Sequence, residues 1–92
     1  MVGTLYANTT GARNTATGYE ALRYTTTGYD NTANGRSSLR ANTTGIRNTA
    51  TGYLALYTNT TGGYNVANGQ QALQHNTTAS YNVGVGYLAL YE

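Results

Sequence analysis

The chain has 92 residues, a net charge of +2 and no cysteine, which limits it to one small domain without disulfides. Leu, Ile and Val are scarce, and Phe and Trp are absent, so a conventional globular core is excluded. Three carboxylates and one histidine are too few for acid-base catalysis or a metal site. No apolar run could cross a membrane. We therefore expect a non-enzymatic, soluble protein without cofactor, metal or membrane insertion.

A tandem repeat with a 17-residue period runs through the chain. A partial unit, residues 1–7, is followed by five complete units without an insertion. The consensus of a unit is N-T-T-G-x-x-N-T-A-x-G-x-x-A-L-x-x. A fixed period of this kind predicts a solenoid that forms one domain, residues 1–92. One leucine recurs in every unit and is the predicted structural core: Leu5, Leu22, Leu39, Leu56, Leu73 and Leu90.

The first predicted strand of each coil follows the N-T-T-G turn. In the third complete unit it lies within residues 48–52, where alternation places Ala50 on the opposite face from Thr49 and Thr51. The column of Ala50 contains only Ala and Gly, so we expect it in a tightly packed interior. The following glycine, Gly52, is expected to reverse the chain at a positive φ.

A second short strand is predicted over residues 53–57, Y-L-A-L-Y. Leu56 belongs to the recurrent leucine column and is expected in the core. The column of Leu54 also contains Glu20 and Gln71, so it cannot be uniformly buried. We therefore expect this strand to bend or end near Leu54.

Stacked coils place identical side chains about 4.8 Å apart, which turns each column into a ladder. The Asn48 column should hold turns through hydrogen bonds from side chain to backbone. Turn chemistry of this kind also explains the N-T-T sequons, including those at Asn42 and Asn59, better than glycosylation does. The predicted fold class is all-β, a parallel β-solenoid or β-roll of about five 17-residue coils.

The segments N-T-A-T-G at 48–52 and Y-L-A-L at 53–56 have counterparts in every unit. They resemble the head repeats of trimeric autotransporter adhesins of the YadA type, and similar repeats of phage tail fibres and bacterial surface fibres. The resemblance implies a left-handed β-roll that trimerises in an extracellular fibre, on a cell surface or a virion. It also implies a structural module that holds or forms a binding surface, and it offers no catalytic residues.

Energetics also favour a homo-oligomer. One Leu, one Ala and a few Thr methyl groups per coil bury little apolar area at about 25 cal/mol per Å². Ordering the chain costs roughly 1.5 kcal/mol per residue. We expect Ile46, Leu54 and Leu88 to face a neighbouring chain, and the resemblance implies that the oligomer is a trimer.

Variable residues after the N-T-T-G turn are the candidate ligand-binding positions. They combine aromatic rings, which can stack on sugars, with guanidinium groups. A glycan or a host surface protein is the expected partner, and the alternative is that these side chains merely cover the turn. The candidates are Arg13, Tyr29, Arg47, Tyr64 and Tyr81.

The sequence also bears on three other functions. Five Arg among ten Tyr is a weak footprint for phosphate and base contacts, so we expect no nucleic-acid binding. A flat solenoid face with regular Thr rows could order water as an ice-binding surface does, and Thr15-x-Thr17 fits that pattern. Asn34 and Asn68 interrupt it. The segment could also be a passive spacer within a fibre.

Overall fold

The computed structural model describes residues 4–5 and 11–91, so most of the partial first unit lies outside the described residues. The described chain forms an all-β solenoid with one three-residue strand in each coil and no helix in these ranges. The strands are β1 (Thr15–Thr17), β2 (Thr32–Asn34), β3 (Thr49–Thr51), β4 (Val66–Asn68) and β5 (Val83–Val85). The predicted fold class is confirmed, whereas handedness and trimerisation stay predictions.

The five strands form one parallel sheet in the order β1-β2-β3-β4-β5. Each strand residue pairs with its equivalent one repeat later, as Ala33 does with Ala50 and Ala50 with Ala67. The central residue of each strand, alanine in β1 to β4 and Gly84 in β5, points inwards, and the two outer residues point to solvent, apart from Thr51, which is half-buried. The sequence period is therefore also the structural period, and every column of the repeat becomes a row along the solenoid axis.

The predicted second strand over 53–57 is wrong, because this segment forms consecutive β-turns. The N–H of Ala55 donates to the carbonyl of Gly52, and the N–H of Tyr57 donates to that of Leu54, both at 3.2 Å. Leu54, the third residue of the first turn, has a φ of 62°, as a type II turn requires. Gly52 has the expected positive φ, at 122°.

Leucine in the left-handed region recurs in every coil. Leu22, Leu39 and Leu56 have φ values of 51°, 51° and 52°. A side chain in this conformation costs roughly 1–2 kcal/mol per residue. Burial of the leucine, worth about 1.5–3 kcal/mol, offsets that cost. A hydrogen bond to the next coil also stabilises this conformation, since the N–H of Leu56 donates to the carbonyl of Ala72 at 3.0 Å.

The apolar core consists of the leucine column and the alanines beside it. Leu22, Leu39 and Leu56 are fully buried, and Leu73 is 4% exposed. Within one chain these side chains are already covered. The ends of the stack differ: Leu5 is only partly buried against the core. Leu90, which was expected in the core, is 58% exposed because no described residue stacks on its C-terminal side.

Buried asparagines form the second part of the interior. The backbone N–H of Asn48 donates to Oδ1 of Asn31 at 3.0 Å, and its Nδ2 donates to the carbonyl of Gly62 at 2.8 Å. Buried polar groups are tolerated only when they are hydrogen-bonded in this way. The expected hydrogen bonds from side chain to backbone are confirmed.

A second asparagine ladder, beside the first, lies at the start of the N-T-T-G turn. Nδ2 of Asn59 donates to Oδ1 of Asn42 at 3.0 Å and to the carbonyl of Gly62 at 3.0 Å. Nδ2 of Asn42 in turn donates to the hydroxyl of Thr25 at 3.2 Å. Asn42 and Asn59 are fully buried. Their amides therefore serve the fold and are inaccessible to a glycosylating enzyme in the folded chain.

Candidate ligand-binding ridge

One row of outward side chains lies immediately before the buried Asn48 ladder. Its residues all adopt positive φ, between 55° for Arg47 and 64° for Tyr81. Hydrogen bonds between coils hold the backbone, since the N–H of Arg47 donates to the carbonyl of Tyr29 and that of Tyr64 to the carbonyl of Ile46, both at 3.0 Å. We call this row, with the adjoining Tyr29, the first ridge: Arg13, Tyr29, Asp30, Arg47, Tyr64 and Tyr81.

The N-terminal half of the first ridge is charged. Nε of Arg13 donates to Oδ1 of Asp30 at 2.6 Å, and Nε of Arg47 lies 3.5 Å from Oδ2 of the same carboxylate. The hydrogen bond from Arg13 lowers the pKa of Asp30 and raises the pKa of Arg13. Both guanidiniums also lie over the ring of Tyr29, at 5.9 and 5.7 Å from its centroid. This half therefore combines ion pairing with cation–π contacts.

The C-terminal half of the first ridge is aromatic. Arg47 donates through Nη1 to the hydroxyl of Tyr64, which holds that ring at the junction with the charged half. The rings of Tyr64 and Tyr81 are stacked, with centroids 5.0 Å apart and planes at 13°. Tyr64 is 39% exposed and Tyr81 76% exposed. The ridge thus ends in a solvent-facing aromatic pair.

All five predicted ligand-binding residues lie in this ridge. The sequence prediction missed Asp30, which links two of them. A signal for it was present, because Asp30 lies one repeat period from both Arg13 and Arg47 and so falls between them in the stack. Opposite charges at that spacing predict an ion-paired row.

A second ridge runs past the C-terminal ends of the five strands, two residues after each strand ends: Tyr19, Arg36, Tyr53, Gln70 and Tyr87. Tyrosine recurs here in every second unit of the repeat. The guanidinium of Arg36 lies 5.5 Å from the ring centroid of Tyr19 and 6.0 Å from that of Tyr53. A planar cation between two rings contacts both, which gives the alternation a physical reason in the first half of the row.

A third cluster surrounds Glu20, outside the positions predicted from sequence. Its carboxylate accepts hydrogen bonds from Arg23 at 3.0 Å and from Arg40 at 2.9 Å. Arg40 also lies over the rings of Tyr24 and Tyr57, at 5.1 and 5.8 Å. Because each contact joins neighbouring coils or turns, this cluster has a clear structural role as a brace.

Between the two ridges, the outer face of the sheet changes along the axis. β1 presents Thr15 and Thr17, whereas β5 presents Val83 and Val85, which are 63% and 67% exposed. Residues 48–91 contain no Asp, Glu, Lys or Arg. The C-terminal part of the face, with Tyr81 beside it, is therefore an exposed apolar patch.

Within residues 4–5 and 11–91, no three His, Asp or Glu side chains gather as a metal site would require. No helix in that part of the chain is both long and apolar enough to span a bilayer. No known family model, curated protein or solved structure matches the chain. The two ridges and the sheet face between them are therefore the features of the molecule that bear on its function.

Proposed function

We propose that this protein is a non-enzymatic structural and adhesive module of a bacterial or phage surface fibre, which presents the first ridge to a glycan or a host surface protein. The observation that supports it is that Arg13, Arg47, Tyr64 and Tyr81 lie in one exposed row, with the half-buried ring of Tyr29 beneath both guanidiniums. Hydrogen bonds between coils hold the row in place. Such preorganisation reduces the entropy lost when a ligand binds.

The chemistry of the first ridge suits a neutral or weakly acidic saccharide. The exposed ring of Tyr81 can stack on the apolar face of a sugar, and the Tyr64 hydroxyl is close enough to Arg47 to act with it. Arg13 and Arg47 outnumber Asp30, so the ridge keeps a net positive charge. Their guanidiniums can donate to hydroxyl or carboxylate oxygens of a ligand.

A glycan array probed with the labelled full chain tests this proposal. Tyr81→Ala should weaken any binding by about tenfold or more, since exposed aromatic anchors often dominate recognition. Tyr87→Ala is the matched control, because Tyr87 lies in the same coil, is 68% exposed and belongs to the second ridge. Equal losses in both variants would reject the first ridge as the site. A chain that binds neither glycans nor host-cell proteins would be a passive spacer.

Homotrimerisation outside the cell belongs to the same proposal. The leucine core is covered within one chain, so association is not needed to bury it. The supporting feature is instead the exposed apolar patch formed by Val83 and Val85 on the outer sheet face. Sedimentation at micromolar concentration tests it: a species of three chain masses supports the trimer, and a folded species of 9.7 kDa contradicts it.

Ice binding is a second candidate because the outer sheet face has regular rows. In β1 to β3, five of the six outward residues are threonine, in register from coil to coil: Thr15, Thr17, Thr32, Thr49 and Thr51. Thermal hysteresis measured on the full chain separates the two functions. Ice shaping that is lost in Thr32→Tyr but kept in Tyr81→Ala would identify the sheet face as the ice-binding surface. The absence of thermal hysteresis would exclude ice binding.

A further inference from the structure

The glycine of the N-T-T-G turn is required by close packing between coils. A Cβ on Gly28 would meet the carbonyl oxygen of Gly45 at 2.3 Å, one on Gly45 would meet that of Gly62 at 2.5 Å, and one on Gly62 would meet that of Ala79 at 2.3 Å. Real Cβ atoms essentially never approach other atoms below 3.0 Å. None of these three glycines has a positive φ, so the constraint is space and not backbone conformation.

In the fifth coil this position is Ala79, which has the Cβ that the earlier coils exclude. By the same geometry, its methyl group projects towards the side on which a further coil would stack. We propose that Ala79 is a steric stop, which prevents a sixth coil of the same backbone geometry from stacking in register on the fifth.

The opposite side of Ala79 fits the solenoid normally. Its carbonyl accepts hydrogen bonds from Nδ2 of Asn65 at 2.9 Å and from Nδ2 of Asn76 at 3.0 Å. The equivalent carbonyl of Gly62 accepts from Asn48 and Asn59 at 2.8 and 3.0 Å. The hydrogen bonds that join Ala79 to the fourth coil are therefore intact, and on the C-terminal side its methyl group lies where the carbonyl oxygen of a further coil would be.

The surface behind this stop would otherwise favour stacking. Leu90 is exposed, and a cavity of about 360 Å³ opens among Leu73, Ala79 and Leu90. β5 is the last strand of the sheet, and an unpaired edge strand is a template for pairing with another chain. A steric stop beside such an edge opposes end-to-end association of copies of this chain.

The test adds a sixth coil to the full chain. A copy of residues 59–75 is appended after residue 92, in one protein that keeps Ala79 and in another that carries Ala79→Gly. Hydrogen exchange of the added amides is then compared. With glycine the added coil should dock, and its amides should exchange at least roughly tenfold more slowly than in the alanine protein.

Two controls complete the design. The 92-residue chain with Ala79→Gly shows how the substitution affects the fifth coil by itself, and Gly62→Ala should disrupt stacking inside the solenoid. Equal protection of the added coil in both extended proteins would overturn the proposal, because Ala79 would then not obstruct stacking. Equal lack of protection would also overturn it, because residue 79 would not decide the outcome.

Discussion

The coils around β1 and β2 and those around β4 and β5 share one backbone but differ in surface chemistry. In the former, Arg13, Asp30 and Glu20 take part in ion pairs, and the outer sheet face carries hydroxyls. In the latter, Val83 and Val85 are exposed. The hydrogen bonds of the two regions use the same columns and nearly the same distances. The inward columns therefore hold the fold, while the outward columns are free to change function along the axis.

The largest expected difference between the two regions lies in the leucine column. Leu22→Ala should lower the free energy of unfolding by about 2–5 kcal/mol, because it opens a cavity in a fully packed site. Leu90→Ala should cost less than about 1 kcal/mol, since that side chain is 58% exposed. Urea denaturation of both variants measures this. Similar losses would mean that the C-terminal coil is covered in solution, for example by another chain.

The asparagine ladder should show the next largest contrast. Asn31→Ala leaves the buried backbone N–H of Asn48 without its acceptor, and it removes the shorter of two hydrogen bonds to the carbonyl of Gly45. An orphaned buried group costs on the order of 1–3 kcal/mol. Asn82→Ala should cost less, because within the described residues the side-chain Nδ2 of Asn82 donates only to Oδ1 of Asn76, at 3.3 Å. Thermal unfolding, followed by circular dichroism, compares the two variants. An equal shift in Tm for both would contradict the expectation that the ladder stabilises the inner coils more than the last one.

Polar substitution of the apolar patch should change association more than stability. The double variant Val83→Thr and Val85→Thr gives β5 the surface of β1, and exposed substitutions usually alter stability by less than about 0.5 kcal/mol. We expect a larger monomer fraction in sedimentation velocity. As a control, Thr15→Val and Thr17→Val are added to this double variant, and they should not restore association because they lie at the other end of the sheet. An unchanged oligomer distribution would exclude the patch as the interface.

The smallest expected effect is the pH dependence of the charged half. The folded-state pKa of Asp30 is lowered by Arg13, so the pair contributes stability above the unfolded pKa, about 3.9, and loses it as pH falls through the lower folded value. Asp30→Asn should therefore flatten the loss of Tm between about pH 5 and the lower folded pKa, without affecting the coils beyond Arg47. The effect is small because the pair is exposed. An identical acid profile in both proteins would show that the pair is not formed in solution.

The sequence predicts which residues of neighbouring coils lie beside one another, but it does not predict the backbone conformation at every position of the repeat. The 17-residue period predicts the pairing of Ala33 with Ala50, and it brings Arg13 and Arg47 into one row. It does not predict the conformation of Leu54. Five consecutive apolar residues fit a strand as well as consecutive turns, and only the burial of the adjacent Ala55 and Leu56 shows that the side chains do not alternate as in a strand.

The sequence by itself determined the register, the leucine column and five of the six members of the first ridge, because a repeat without insertions brings equivalent positions together in any regular stack. Only the tertiary structure decided that Leu56 adopts a positive φ, that Glu20 braces Arg23 and Arg40, and that Gly62 is needed for space. These features depend on distances and hydrogen bonds between neighbouring coils. Such contacts are set by how closely the coils approach one another, and residue order within one unit does not specify that distance.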